Sequence, residues 1–145
     1  MSDELISACD IRGTEATGLT IECAWNVGKA LAEFLPTTGG VCVATSPDQA
    51  DLARGVIEGL RLQGRPVVDA GVDGKDLVLS LVKTASLSGA VIIGYDEMEK
   101  MSTIELYQED ARLIDSQTGL MTIRDLVEAG NFVPAVVKGE LTAIA

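Results

Sequence analysis

Three short, almost wholly apolar runs, VCVA (41–44), PVVDAG (66–71) and GAVIIG (89–94), alternate with stretches of helical periodicity. This alternation constrains the fold more than any other feature. Strands that are apolar on both sides must be covered on both faces, as in a parallel sheet between helical layers. The helix after the first run opens at SPDQ (46–49), with Ser46 as cap, Pro47 at the first helical position and Gln49 completing a capping-box pattern. Its apolar stripe is Ala50, Ala53, Ile57 and Leu60, and Gly64 supplies a left-handed stop. The helix after the second run, capped by Asp73, passes through DLVLSLVKTAS with Leu77, Leu81 and Ala85 on one face.

Ahead of the first strand, LTIECAWNVGKALAEFL (19–35) sets Ala24, Val27, Leu31, Phe34 and Leu35 at helical spacing behind a Thr20 cap, and Pro36 with TTGG ends it. STIELYQED (102–110) follows the third strand too closely for a helical crossover, and its alternation predicts an antiparallel return at a sheet edge. TIRDLVEAG (122–130) is a last short helix stopped by Gly130, and NFVPAVVKGELTAIA (131–145) is weakly patterned. The expected fold is α/β: a three-layer α/β/α sandwich on a mixed four-stranded sheet of order 2-1-3-4, the last strand antiparallel. One domain spans 1–145, with its core at 8–135 and a tail at 131–145.

A chain of 145 residues buries roughly 68–70% of its unfolded surface. Aromatics are 3% of it, so the core is aliphatic. No apolar run reaches the ~18 residues of a membrane span, and no signal pattern opens the chain, so a soluble cytoplasmic protein is expected. Cys9, Cys23 and Cys42 share no CxxC spacing and are expected to be small buried fillers in a reducing compartment. The absence of histidine removes the usual general base and the commonest metal ligand. A net charge of −11 repels nucleic-acid phosphate and anionic lipid, so neither nucleic acid nor membrane is an expected partner. A phosphorylated ligand would need a local basic pocket.

In such a sheet, ligands bind beyond the carboxyl ends of the strands where strand order reverses. For order 2-1-3-4 that crevice lies between ATS (44–46) and GYDEMEK (94–100), and the amino end of the second helix adds free N–H groups there.

CDIRG (9–13), VGKALAEFL (27–35), IEGLRLQGRPVVDAG (57–71), IELYQED (104–110) and VEAGNFVP (127–134) together resemble, in order, the first domain of the α-D-phosphohexomutases, the phosphomannomutase/phosphoglucomutase family. The resemblance covers about residues 8–135. It implies a three-layer domain, one of four in an enzyme that interconverts 1- and 6-phosphosugars through a phosphoserine with Mg2+. In the family the phosphoserine stands in a TASHNP-type loop after the third strand. Here GYDEMEK stands there, and Asp96 falls near the serine's position. The family's GRDTR and PTP segments are ATSPDQ and VDGKD, and its metal motif belongs to a second domain beyond this chain's last residue.

The expectation is therefore a domain that is catalytically silent by itself, with no catalytic residue and no metal or other cofactor of its own. It would serve as an accessory or interaction domain tied to phosphosugar metabolism, contacting a protein partner or another copy of itself. Alternatives are one domain of a working mutase completed by others, and a receiver-like phosphoacceptor; the latter lacks the acidic pair after the first strand that would hold magnesium. Phosphosugar binding, if retained, would use Arg12, Ser46 and Lys100. Arg12 aligns with the arginine that the family places at the phosphate end of its cleft. Its simpler role is a salt bridge to Asp10 or to an acid of the 94–100 loop. Gly94, Tyr95, Asp96 and Glu97 form the degenerate loop, in which Asp96 is either a fixed imitation of a phosphoserine or a solvated turn acid. Ser46 reads more simply as a helix cap, and Lys100 as an exposed loop residue.

Overall fold

The computed structural model describes residues 1–72 and 74–143. Four helices, α1 (Ile21–Phe34), α2 (Ala50–Leu62), α3 (Lys75–Thr84) and α4 (Leu120–Ala129), accompany seven strands: β1 (Ile11–Gly13), β2 (Val41–Thr45), β3 (Val67–Val72), β4 (Gly89–Asp96), β5 (Met101–Gln108), β6 (Arg112–Leu113) and β7 (Leu141–Ala143). No described helix is long and apolar enough to cross a membrane.

The strands form one sheet of order β1-β5-β4-β2-β3-β7, with β6 paired to β5. β2 lies parallel to β3 and β4, β3 parallel to β7, and β5 antiparallel to β4. The four expected strands keep the order 2-1-3-4 inside this larger sheet. One expectation is corrected: β5 is not an edge, because β1 pairs antiparallel along its other side, Ile11 opposite Ile104 and Gly13 opposite Ser102.

Two apolar layers sandwich the sheet. On one face Val41, Val43, Val91, Ile93, Ile104 and Leu106 meet α1, α2 and α4 through Val27, Leu31, Val56, Leu60 and Ile123. On the other, Cys42, Ala44, Ala90 and Ile92 pack under Val78 and Val82 of α3. Each fully buried aliphatic side chain contributes about 1.5–3 kcal/mol relative to exposure. The α1–α2 crossing is close because glycines face it. A Cβ on Gly55 would lie 2.8 Å from the Ile21 carbonyl oxygen, and one on Gly59 would strike that of Trp25.

Thr20 caps α1 as expected, accepting from the Cys23 N–H at 3.1 Å. Ser46 does not cap α2. Residues Pro47–Gln49 wind as a 3-10 turn, the α-helix starts at Ala50, and the Ser46 side chain makes no capping bond. A reciprocal capping box is closed off on both sides: the Ser46 N–H donates to Ile93 O at 2.8 Å, and Gln49 Oε1 accepts from Ser102 Oγ at 2.7 Å. Ala50 is exposed, and the buried face of α2 is carried by Leu52, Ala53, Val56, Ile57 and Leu60. Gly64 takes the left-handed conformation expected of it, φ 87°. The expected Asp73 cap lies outside the described residues; α3 begins after Gly74 without a side-chain cap. It buries Val78 and Val82, while Leu77 is 46% exposed and Ala85 is also exposed. The segment has two adjacent apolar stripes, and the sheet lies under the valine one. Of the cysteines only Cys42 is buried; Cys23 is half-buried and Cys9 exposed, because Cys9 sits in the turn ahead of β1.

Candidate functional site

The β4–β5 hairpin forms the corner that the sequence singles out. β4 continues through Gly94, Tyr95 and Asp96, which pair with Thr103, Ser102 and Met101, so the turn itself is only residues 97–100. The degenerate loop expected over 94–100 is thus half strand. Lys100 closes the turn in the left-handed region, φ 56°.

Alternation along β4 puts Gly94 and Asp96 on one sheet face, and Arg12 lies in the same row as Thr103 and Gly94. The absence of a side chain at Gly94 keeps that row low. Arg12 reaches across β5: its Nη1 donates to Asp96 Oδ2 at 3.0 Å, while Nε and Nη2 fork onto the two Asp10 oxygens at 2.8 Å each. Asp10 is 4% exposed and also accepts from Ser7 Oγ at 2.6 Å. Asp96 Oδ1 accepts from the N–H groups of Met98 and Glu99 at 3.0 and 3.1 Å. A guanidinium held between two carboxylates in this way is a charge-assisted, geometrically specified anchor.

Electrostatics follow the contacts. Burial pulls the Asp10 pKa up, but the Arg12 fork and the Ser7 hydroxyl outweigh it and hold the carboxyl below its ordinary value. The Glu99 N–H and then Arg12 hold Asp96 low as well. The Asp10 bonds keep Arg12 protonated well above its usual range.

Of the residues expected to bind phosphate, only Arg12 meets the degenerate loop, through Asp96; Ser46 and Lys100 stand apart from that ion pair. The Ser46 Oγ is buried without a hydrogen-bond partner among the described residues, beside a cleft of about 160 Å³ that Gly94, Gly74 and Lys75 also line. Lys75 is engaged with Glu105 at 3.2 Å. Lys100 and Glu97 are exposed, and Tyr95 is 41% exposed at the hairpin. Sequence reasoning passed over Ser7 and the two turn N–H groups. An acid two residues before an N–H that can close on its side chain is a turn signal that could have found the latter.

The Mg2+ implied by the resemblance does not fit this corner. Asp10 and Asp96 are bridged by the Arg12 cation, and their oxygens already accept from Arg12, from Ser7 Oγ and from the N–H groups of Met98 and Glu99. Among the described residues no group of three His, Cys, Asp or Glu side chains is placed to hold a metal ion.

No protein-family model matches the chain. It is 32% identical to a phosphomannomutase of Salmonella typhimurium over 133 residues, which is 88% of this chain and 28% of the relative. It is 34% identical to the phosphohexose mutases of Xanthomonas campestris over 126 residues, 84% of this chain and again 28% of the relative. The chain therefore spans a little over a quarter of the length of these two relatives. Its fold matches a phosphoglucomutase/phosphomannomutase family protein from Burkholderia thailandensis with a TM-score of 0.80 at 16% identity, over 99% of this chain and 33% of that one. Over most of its length, this chain is a homologue of the phosphoglucomutase/phosphomannomutase family.

Proposed function

We propose that this chain is a phosphohexomutase-like first domain that is catalytically silent by itself and acts as an accessory or interaction domain in phosphosugar metabolism. The observation that carries this reading is the Arg12–Asp96 ion pair at 3.0 Å, at the place where the resemblance implies a phosphoserine loop. Phosphoryl transfer through that place needs a hydroxyl to carry the phosphate and positive charge to stabilise it. Residues 94–100 carry no serine or threonine, and their one cation, Lys100, stands among three acids: Asp96, committed to the nearest guanidinium, and Glu97 and Glu99. The hydroxyl of Ser46 is buried and has no base bonded to it. An interaction role is supported by Val133, Val136 and Val137, 81%, 103% and 76% exposed in the segment after α4.

An amide NMR titration with mannose and glucose 1- and 6-phosphates, alongside a mutase assay, tests the reading. The expected result is no saturable shift at Arg12, Ser46 or residues 94–100 with millimolar ligand, and no turnover. Turnover by this chain, or saturable shifts confined to those residues, would overturn it. A second reading, one domain of a working mutase, is favoured by the 28% coverage of the relatives. It requires turnover to appear when the relatives' remaining domains are supplied in trans.

A further inference from the structure

We propose that Asp96 is an internal plug: a carboxylate of this chain seated in an oxyanion site that the chain itself builds, and thereby closing that site to phosphate. The inference rests on the silent-cleft reading above and gives it a cause.

Three donors from two parts of the chain converge on this one carboxylate. Arg12 Nη1, 84 residues away in sequence, meets Oδ2 at 3.0 Å, and the N–H groups of Met98 and Glu99 meet Oδ1 at 3.0 and 3.1 Å. The charged donor is held independently of the plug. Arg12 stays aimed because its Nε and Nη2 are already forked onto buried Asp10, which Ser7 fixes in turn. The turn N–H groups are carried by a hairpin whose ladder runs unbroken from Gly89–Gln108 to Asp96–Met101. Taking the carboxylate away leaves a charged donor and two backbone donors around a space of carboxylate size, the donor set that recognises small oxyanions.

While Asp96 is present, covalent tethering gives its carboxylate a high effective concentration at the site. Glu97 and Glu99 on the same turn, in a chain of net charge −11, repel a competing anion. The arrangement is an autoinhibitory contact made by a single side chain, and the ligand class it excludes is a small oxyanion, phosphate or carboxylate.

The test is an amide and arginine side-chain NMR titration of the full chain and of Asp96→Ala with formate and with inorganic phosphate, at constant ionic strength against chloride. Asp96→Ala is expected to show saturable shifts at Met98, Glu99 and Arg12 Nε, with apparent binding at least ~10-fold tighter than in the unaltered chain, the factor expected when an internal competitor is removed. Asp96→Asn, which fills the space and keeps the turn bonds, is expected to show no such gain. Formate is expected to raise the thermal midpoint of Asp96→Ala. Should the hairpin unravel in Asp96→Ala, millimolar formate must re-form it, and failure to do so overturns the proposal. Equal, unsaturable responses of all three proteins overturn it too, while leaving the silent-cleft reading standing. Tight phosphate binding by the unaltered chain would overturn that reading itself.

Discussion

Arg12 and Arg65 show how differently one residue type can be satisfied. Arg12 sits between two carboxylates at the sheet's rim. Arg65 is 7% exposed and donates only to backbone carbonyl oxygens, those of Ala32, Leu35, Thr37 and Gly39, where α1 ends and its last carbonyls need partners. Burial lowers the Arg65 pKa, whereas its carboxylate partners raise that of Arg12. The Arg12 fork sets a pH dependence. The Asp10 carboxyl lies lower in the folded chain than its unfolded value of about 3.9, so the stability it provides is complete above that value and is lost as pH falls through the folded one. Urea midpoints are expected to hold steady down to roughly pH 5 and decline in acid. Asp10→Asn is expected to cost about 2–3 kcal/mol at pH 7, below the usual cost of breaking a buried pair because Arg12 is partly exposed, and to show a shallower acid decline. An acid decline identical in both proteins would remove Asp10 from the account.

The elements readable in advance were those whose signal is local. β2, β3 and β4 are short, almost wholly apolar runs, and α1 carries both its stripe and its Thr20 cap within one segment. β1, β6 and β7 are two or three residues long, too short for any period to register, and β5 was placed at an edge because its second neighbour lies about ninety residues earlier. Ser46 does not cap because residues 47–49 wind as a 3-10 turn ahead of the helix, and the reciprocal half of the box is lost to non-local contacts of the Ser46 N–H with β4 and of Gln49 with β5. What sequence pattern does not display at all is the intimacy of α1 and α2. Gly59 looks like a weak point in a helix, yet a Cβ there would strike the Trp25 carbonyl and come within 3.0 Å of the Lys29 N–H nitrogen. Gly59→Ala should gain about 1 kcal/mol in helix propensity and lose about 3 to overpacking against rigid backbone, a net destabilisation of about 2 kcal/mol. Chemical denaturation measures it directly. A stabilised Gly59→Ala would mean that the two helices separate without cost.

At the scale of the whole molecule, the candidate site depends on a contact between residues 12 and 96, of which the sequence marks both ends but not their meeting. Strand order points to a crevice between residues 44–46 and 94–100, whereas the ion pair forms on the other side of β4, across β5. A salt bridge of Arg12 to Asp10 or to an acid of the turn is one of two roles its chemistry allows, and the sheet's register brings both acids to it. That same register ties the corner to the core. β4 begins among fully buried residues, Gly89 to Ile93, and runs outward to Asp96, where Arg12 fastens it to β1. β7 has no such anchor: its three residues are all exposed and pair only with β3. Native-state hydrogen exchange should therefore show three tiers. Hydrogen-bonded amides of 41–44 and 90–93 should open only with global unfolding, those of 94–96 and 101–103 at an intermediate free energy, and those of β7 most readily. In Asp10→Asn the intermediate tier should fall toward that of β7 while the central strands drop only by the global loss. If residues 94–103 already exchange as fast as β7 in the unaltered chain, the Arg12 fastening carries too little energy to hold the hairpin, and the corner is a solvated turn after all.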